Sequence, residues 1–188
     1  MKRQAITLGR IGILLPIASI IPFLGAVAGL AAMILLLISH YYLSKVYEKP
    51  DIFKNALTGT IIVVAGNILG GILVTIGVGT AIFSASGSTL ESLNYQEITS
   101  QLLSSGLSIV GAIIMFVAAI IGIYFIFKSL QALAEKSNIK LFKNAGLLYF
   151  IGVITSIIII GGVIYFVGWI FHIIAYFSLQ PEEKTAAV

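Results

Sequence analysis

Four stretches of this chain, residues 11–39, 56–90, 98–127 and 144–181, contain no charged residue. Each exceeds the roughly 20 apolar residues that a helix needs to cross a hydrocarbon core about 30 Å thick. A soluble domain carries about 25% charged residues. Here 10% are charged and 59% hydrophobic, too little polar surface to cover a core in water. In hydrocarbon the backbone must satisfy its own hydrogen bonds, so these runs are read as helices. The expected fold is an all-α, polytopic transmembrane helix bundle forming one domain over residues 1–188.

The breaks within and between the runs set the helix count. Pro16 is expected only to kink a helix, whereas Pro22-Phe23-Leu24-Gly25 can end one and start another. Gly161-Gly162 is given the same part near the end. Six helices follow, at about 4–21, 25–46, 51–83, 97–135, 139–160 and 163–180, with an outer loop at 84–96 rich in Ser, Gly and Thr. They form three hairpins. The apolar part of each middle helix measures about 40 Å, against about 22–26 Å in the first, fifth and sixth. The flanking hairpins therefore either span a locally thinned bilayer or turn inside it.

Charge placement supports six crossings. All 11 Lys and Arg then fall on one side with both termini, and Glu91 and Glu97 fall on the other. By the positive-inside rule the termini are cytoplasmic, in a multi-pass protein of the cell membrane. The basic residues are scattered over helix ends rather than gathered on one face, which argues against a nucleic-acid partner. Met1-Lys2-Arg3 could open a signal peptide, but the apolar run continues into a second span and is read as retained.

Phe53-Lys54-Asn55-Ala56 recurs as Phe142-Lys143-Asn144-Ala145, each time opening an outgoing helix. The returning helices end in the aromatic pairs Tyr41-Tyr42, Tyr124-Phe125 and Tyr176-Phe177, with Lys45 and Lys128 after the first two. Interfacial chemistry explains the rings, and descent from a repeated hairpin explains the four-residue identity equally well.

The stretch Leu141-Phe142-Lys143-Asn144-Ala145-Gly146-Leu147-Leu148-Tyr149, with Ile174-Ala175-Tyr176-Phe177-Ser178-Leu179, resembles an archaeal membrane family designated domain of unknown function 996. Leu8-Gly9-Arg10-Ile11-Gly12 and Asp51-Ile52-Phe53-Lys54-Asn55-Ala56 extend the likeness over most of the chain. The resemblance implies an archaeal plasma-membrane protein, and it supplies no activity, cofactor or site residue.

Catalysis or charge transport usually places an ionisable group at membrane depth, and no carboxylate or Arg lies within any of the four uncharged runs. His40 and His172 could form a metal pair or a proton relay. Without a carboxylate or Cys beside them, each is expected instead to bond a neighbouring backbone carbonyl. With no cysteine in the chain, thiolate chemistry and disulfides are excluded. No phosphate loop, metal-ligand spacing or nucleophile–base pair is found, so neither a cofactor nor an enzyme is expected.

Two sets of candidate contact residues are left. Gly66, Asn67, Gly70 and Gly71 form a small-xxx-small step with a polar group, expected to serve helix packing, with Asn67 bonding across the contact, or to touch a solute. Lys128, Lys136, Lys140 and Lys143 could hold anionic lipid headgroups. The leading expectation is a non-enzymatic protein that associates with itself, another membrane protein or lipid. The alternative is a channel or carrier for a small neutral solute, with Asn67, Thr60, Thr75 and Thr80 along its path.

Overall fold

A computed structural model describes residues 1–21, 24–85 and 106–181. Six α-helices occur among them, and no strand: α1 Lys2–Leu14, α2 Leu24–Val46, α3 Pro50–Ala85, α4 Gly106–Ser137, α5 Lys140–Ile154 and α6 Ile160–Ser178. Five segments, Val27–Val46, Pro50–Thr80, Gly106–Ser137, Lys140–Ile157 and Ile160–Ser178, are long and apolar enough to cross a membrane. In the most apolar windows of α3 and α4 only 17% of the residues are buried within the chain.

The breaks depart from the expected ones in two places. Pro16 does not kink a continuing α-helix. The α-helix stops at Leu14 and a 3-10 turn, Leu15–Ile20, carries the proline in its first turn. Proline has no N–H to give the carbonyl four residues back, and its ring crowds that carbonyl, so the chain tightens instead. The second break lies before Gly161-Gly162. Helix α5 ends at Ile154, the 3-10 turn Thr155–Ile157 follows, and both glycines lie inside α6. A Cβ on Gly161 would strike the Thr155 and Ser156 backbone, so this glycine lets α6 begin against the turn rather than forming the turn itself. The proposed break at Pro22-Phe23, the outer loop 84–96 beyond residue 85, and helix residues 97–105 lie outside the described residues.

Both tight links run through a left-handed non-glycine residue, Glu48 (φ 50°) after α2 and Asn138 (φ 58°) after α4. That conformation ends a helix by turning its last carbonyls onto following N–H groups, as Lys49 N–H does to Ser44 O at 3.0 Å. Pro50 then opens α3, where its missing N–H is harmless.

The chain divides into two compact units, residues 1–60 with 123–188, and residues 61–122. In the first, α1 packs on α2, α5 on α6, and α1 on α6. Its core comprises Ala5, Ile6, Leu43, Ile52, Leu130, Leu133, Phe142 and Tyr176. Polar ties cross it. Trp169 Nε1–H donates to Ile13 O at 3.0 Å, and Ser129 Oγ–H donates to Ile52 O. Arg10 donates from Nε to Tyr176 O at 3.2 Å, and from Nη2 to Phe177 O and Leu179 O at 3.2 and 3.0 Å. One guanidinium thus satisfies carbonyls that α6 leaves unpaired at its end.

The second unit holds the parts of α3 and α4 that meet through small residues. A Cβ on Gly66 would collide with Ala118. One on Gly70 would lie 2.5 Å from Gly111 O, and one on Gly111 2.6 Å from Gly70 O. Where hydrocarbon solvates every side chain, close backbone approach of this kind is what holds helices together.

Candidate functional site

The four residues singled out on α3 divide between two faces. Gly66 and Gly70 are buried against α4, while Asn67 is exposed and Gly71 has open space where a side chain would stand. Asn67 does not bond across the α3–α4 contact, contrary to expectation. Its Nδ2–H donates at 2.8 Å to Val63 O, one turn back on its own helix. The reason is helical geometry: at 100° per residue, Asn67 is turned away from the face that carries Gly66 and Gly70.

Asn67 and Gly71 continue along the helix as Thr75 and Gly79. These positions recur every four residues on one side of α3, and both later ones are exposed. Thr75 Oγ1–H donates to Gly71 O at 2.8 Å, and Gly79, like Gly71, has nothing within 4 Å of an added Cβ. Around this stripe Ile68, Leu69, Ile72 and Ile76 are exposed. Thr60 and Thr80 likewise bond back to Ala56 O and Gly77 O, on their own helix.

A buried polar cluster that the sequence reading did not assemble lies in the first unit. Ser39 and His40 from α2, Phe142 and Tyr149 from α5, and His172 and Tyr176 from α6 are all buried. Ser39 Oγ–H donates to Ala5 O at 2.7 Å, and its oxygen lies 3.2 Å from the Tyr176 hydroxyl. Since the serine proton is already committed, Tyr176 donates. His40 Nδ1 is 2.7 Å from Leu36 O. A carbonyl only accepts, so Nδ1 carries the proton and Nε2 is a bare acceptor. This is the carbonyl bond expected of His40.

His172 departs from that expectation, because its Nδ1 lies 3.2 Å from the Tyr149 hydroxyl rather than on a carbonyl. Its ring stacks on Tyr176 at 5.2 Å, and Phe142 meets Tyr176 edge-on at 5.3 Å. Gly9 makes the room, since a Cβ there would run into the Tyr176 ring. The available signal was the spacing of His172 and Tyr176, one helical turn apart, with Ser39-His40 on another returning helix.

The four lysines proposed for headgroups, Lys128, Lys136, Lys140 and Lys143, are all exposed. Lys128 lies over the Tyr124 ring at 4.9 Å, as Lys45 lies over Tyr41 at 5.6 Å. The two Phe-Lys-Asn-Ala copies are unequal: Phe142 is fully buried beside Tyr176, whereas Phe53 is half-buried against Tyr41. No group of three or more His, Cys, Asp or Glu suited to a metal ion occurs among the described residues.

An uncharacterized protein of the archaeon Methanocaldococcus jannaschii, MJ1644, is 31% identical over 183 residues, covering 97% of this chain and 96% of its own. No solved structure matches the chain. The family model described as Protein of unknown function (DUF996) matches residues 28–170, and the chain belongs to that family.

Proposed function

We propose that the protein is a non-enzymatic, multi-pass protein of the cell membrane whose output is association, in the first place with a second copy of itself through the outer face of α3. The carrying observation is the stripe Asn67, Gly71, Thr75 and Gly79, in which Asn67, Thr75 and Gly79 are exposed and half-buried Gly71 has open space where a side chain would stand. Asn67 spends one amide N–H on its own helix. Its carbonyl oxygen and second N–H face surroundings that, in a lone copy, would be hydrocarbon. An asparagine so placed, with glycines that admit a neighbouring backbone, favours a helix–helix contact; an interhelical bond of this type contributes about 0.6–2 kcal/mol.

The topology in this reading is three hairpins, the middle one longer, with termini and basic links cytoplasmic. Two contacts support bringing those ends together. Lys2 Nζ lies 6.0 Å from the Tyr47 ring, which relates the start of α1 to the end of α2, and Arg10 binds the end of α6. Helix α1 alone spans about 20 Å, short of the hydrocarbon core, and only its 3-10 extension of about 12 Å more brings the first arm to about that thickness. The turn between α5 and α6 exposes Ile157, Ile158, Ile159 and Ile160, Ile159 by 92%. Four bare isoleucines favour a tip that stops inside the bilayer. The exposed Lys128, Lys136, Lys140 and Lys143 then lie where anionic headgroups would meet them.

Because the chain has no cysteine, Asn67→Cys gives a direct test. Mild oxidation of intact membranes should trap a disulfide-linked dimer, and Gly71→Leu added to that variant should abolish it. No dimer at any oxidant strength, with a monomer by native mass spectrometry from mild detergent, would sink the reading. The second reading, a path for a small neutral solute, draws on the same polar stripe. It predicts that Asn67→Cys reacts with an aqueous maleimide instead.

A further inference from the structure

The first Phe-Lys-Asn-Ala copy leaves its phenylalanine open where the second buries it. Phe142 is fully buried in the core, whereas Phe53 is half-buried and lines an open groove between α2 and α3. Ile34, Leu37, Ile38 and Tyr41 form the α2 wall, and Phe53 and Leu57 the α3 wall, around about 300 Å³. That volume lies at the small end of ligand-sized clefts. The α2 residues recur every three or four positions, so they make one continuous stripe. From Tyr41 to Ile34 the stripe runs about 10 Å, about a third of a hydrocarbon core. These six side chains carry no charge, and the Tyr41 hydroxyl is their one polar group.

The same stripe ends in a cation. Lys45 follows Tyr41 by one turn and holds its Nζ 5.6 Å from the centre of that ring. The Tyr41 ring in turn meets Phe53 edge-on at 5.2 Å. On α3, Lys54 adjoins Phe53 and precedes Leu57 by three residues, which makes it a surface neighbour of Leu57. Both lysines are exposed, and neither makes an ion pair among the described residues. The ion pair of this link joins Lys49 to Asp51 at 3.3 Å instead. The groove therefore has an aromatic mouth with two unpaired cations beside it, and aliphatic walls leading away.

We propose that this groove holds one anionic lipid, its headgroup against Lys45 and Lys54 and the first part of one hydrocarbon chain along Ile38, Leu37 and Ile34. Charge complementarity selects the occupant. A zwitterionic lipid brings no net charge to the two lysines. A phosphate without a chain leaves the apolar walls unfilled. A second copy docked face to face here would set lysine against lysine. The site uses α2 and the start of α3, apart from the Asn67 stripe, and it is independent of self-association, because a lipid adduct is read on monomer and dimer alike.

The test is native mass spectrometry of the full chain, extracted in mild detergent from vesicles of phosphatidylcholine and phosphatidylglycerol in equal amounts. The wild type should retain one phosphatidylglycerol in preference to phosphatidylcholine. Lys45→Gln together with Lys54→Gln should reduce that preference by about fivefold for each lysine removed. Ile38→Trp keeps both lysines and fills the groove from an exposed wall position, so it should lose the retained lipid. Glycerol phosphate without chains should not displace the lipid. Equal retention of the two lipids by the wild type would overturn the proposal without need of any variant. So would phosphatidylglycerol held undiminished by a folded Ile38→Trp protein, where charge alone would be the cause, or its displacement by glycerol phosphate.

Discussion

At the scale of single residues, each of the three aromatic pairs carries a cation, yet only two of the arrangements lie within one helix. Lys45 over Tyr41 and Lys128 over Tyr124 are four residues apart, and their pairing could be read directly from spacing. The third pair, Tyr176-Phe177, takes its cation from Arg10 at the other end of the chain, 4.9 Å over Phe177. Local spacing says nothing of that, because tertiary packing brings α1 onto α6. Arg10→Ala should lower stability by about 1.5–3 kcal/mol, the range for hydrogen bonds from a charged donor, measured by denaturant titration in detergent. Arg10→Lys should recover only part of it, having no planar fork to reach three carbonyls. Gly9→Val tests the other side of the same contact: the Tyr176 ring would have to move off Ser39, and a loss of about 1–3 kcal/mol is expected. Full stability in Gly9→Val would mean that the ring has a second seat. The histidine cluster was legible only in part for the same reason. His40 bonds within its own helix, as a local reading expects, whereas the Tyr149 partner of His172 comes from another helix.

At the scale of elements, helix existence and type were open to sequence reading because lipid leaves few alternatives for a long uncharged run. Their ends were less so. Pro16 and Gly161 show why: proline can kink a helix or end it, and a glycine can make a turn or pack against one, depending on neighbours that composition does not name. Helix α3 shows the same gap. Its small residues were visible, but which of them meet α4 depends on the helix's rotation. The two faces now predict opposite phenotypes. Gly70→Leu places a side chain where Gly111 O stands 2.5 Å from a bare Cβ, so it should unseat α3 from α4 and reduce folded yield. Gly71→Leu meets open space, so the chain should fold normally and lose only the dimer. Size-exclusion profiles and thermal stability of the two variants, side by side, separate the effects. If both variants lose stability alike, the outer face already packs within one copy, and the association reading loses its footing.

At the scale of the whole molecule, the question is how helices of unequal length share one bilayer. Five segments suffice to cross, and α1 does not meet that length. If α1 lay flat and the other five helices crossed fully, the termini would fall on opposite sides. Arg10 could not then reach the end of α6, nor Lys2 the Tyr47 ring. Those contacts require α1, the end of α2 and the end of α6 to lie on one side. An even number of traverses does so, and so do hairpins that enter and return. In the proposed reading the apolar turn at residues 157–160 favours the second, because four exposed isoleucines in a headgroup layer would forfeit most of the burial that lipid offers them, about 1.5–3 kcal/mol per side chain. Single cysteines in the cysteine-free chain can read the depth. Lys49→Cys and Lys140→Cys should label with an impermeant maleimide only after the membrane is opened, and Ile159→Cys should stay unlabelled from both sides. Labelling of Ile159→Cys from outside in sealed cells would make α5 and α6 a full hairpin across a thinned bilayer. Labelling only after opening would put the turn on the same side as Lys140, so that α5 and α6 would not cross. Either result would also relocate the buried histidines, since His172 sits on α6 between that tip and the Arg10 contact at its other end.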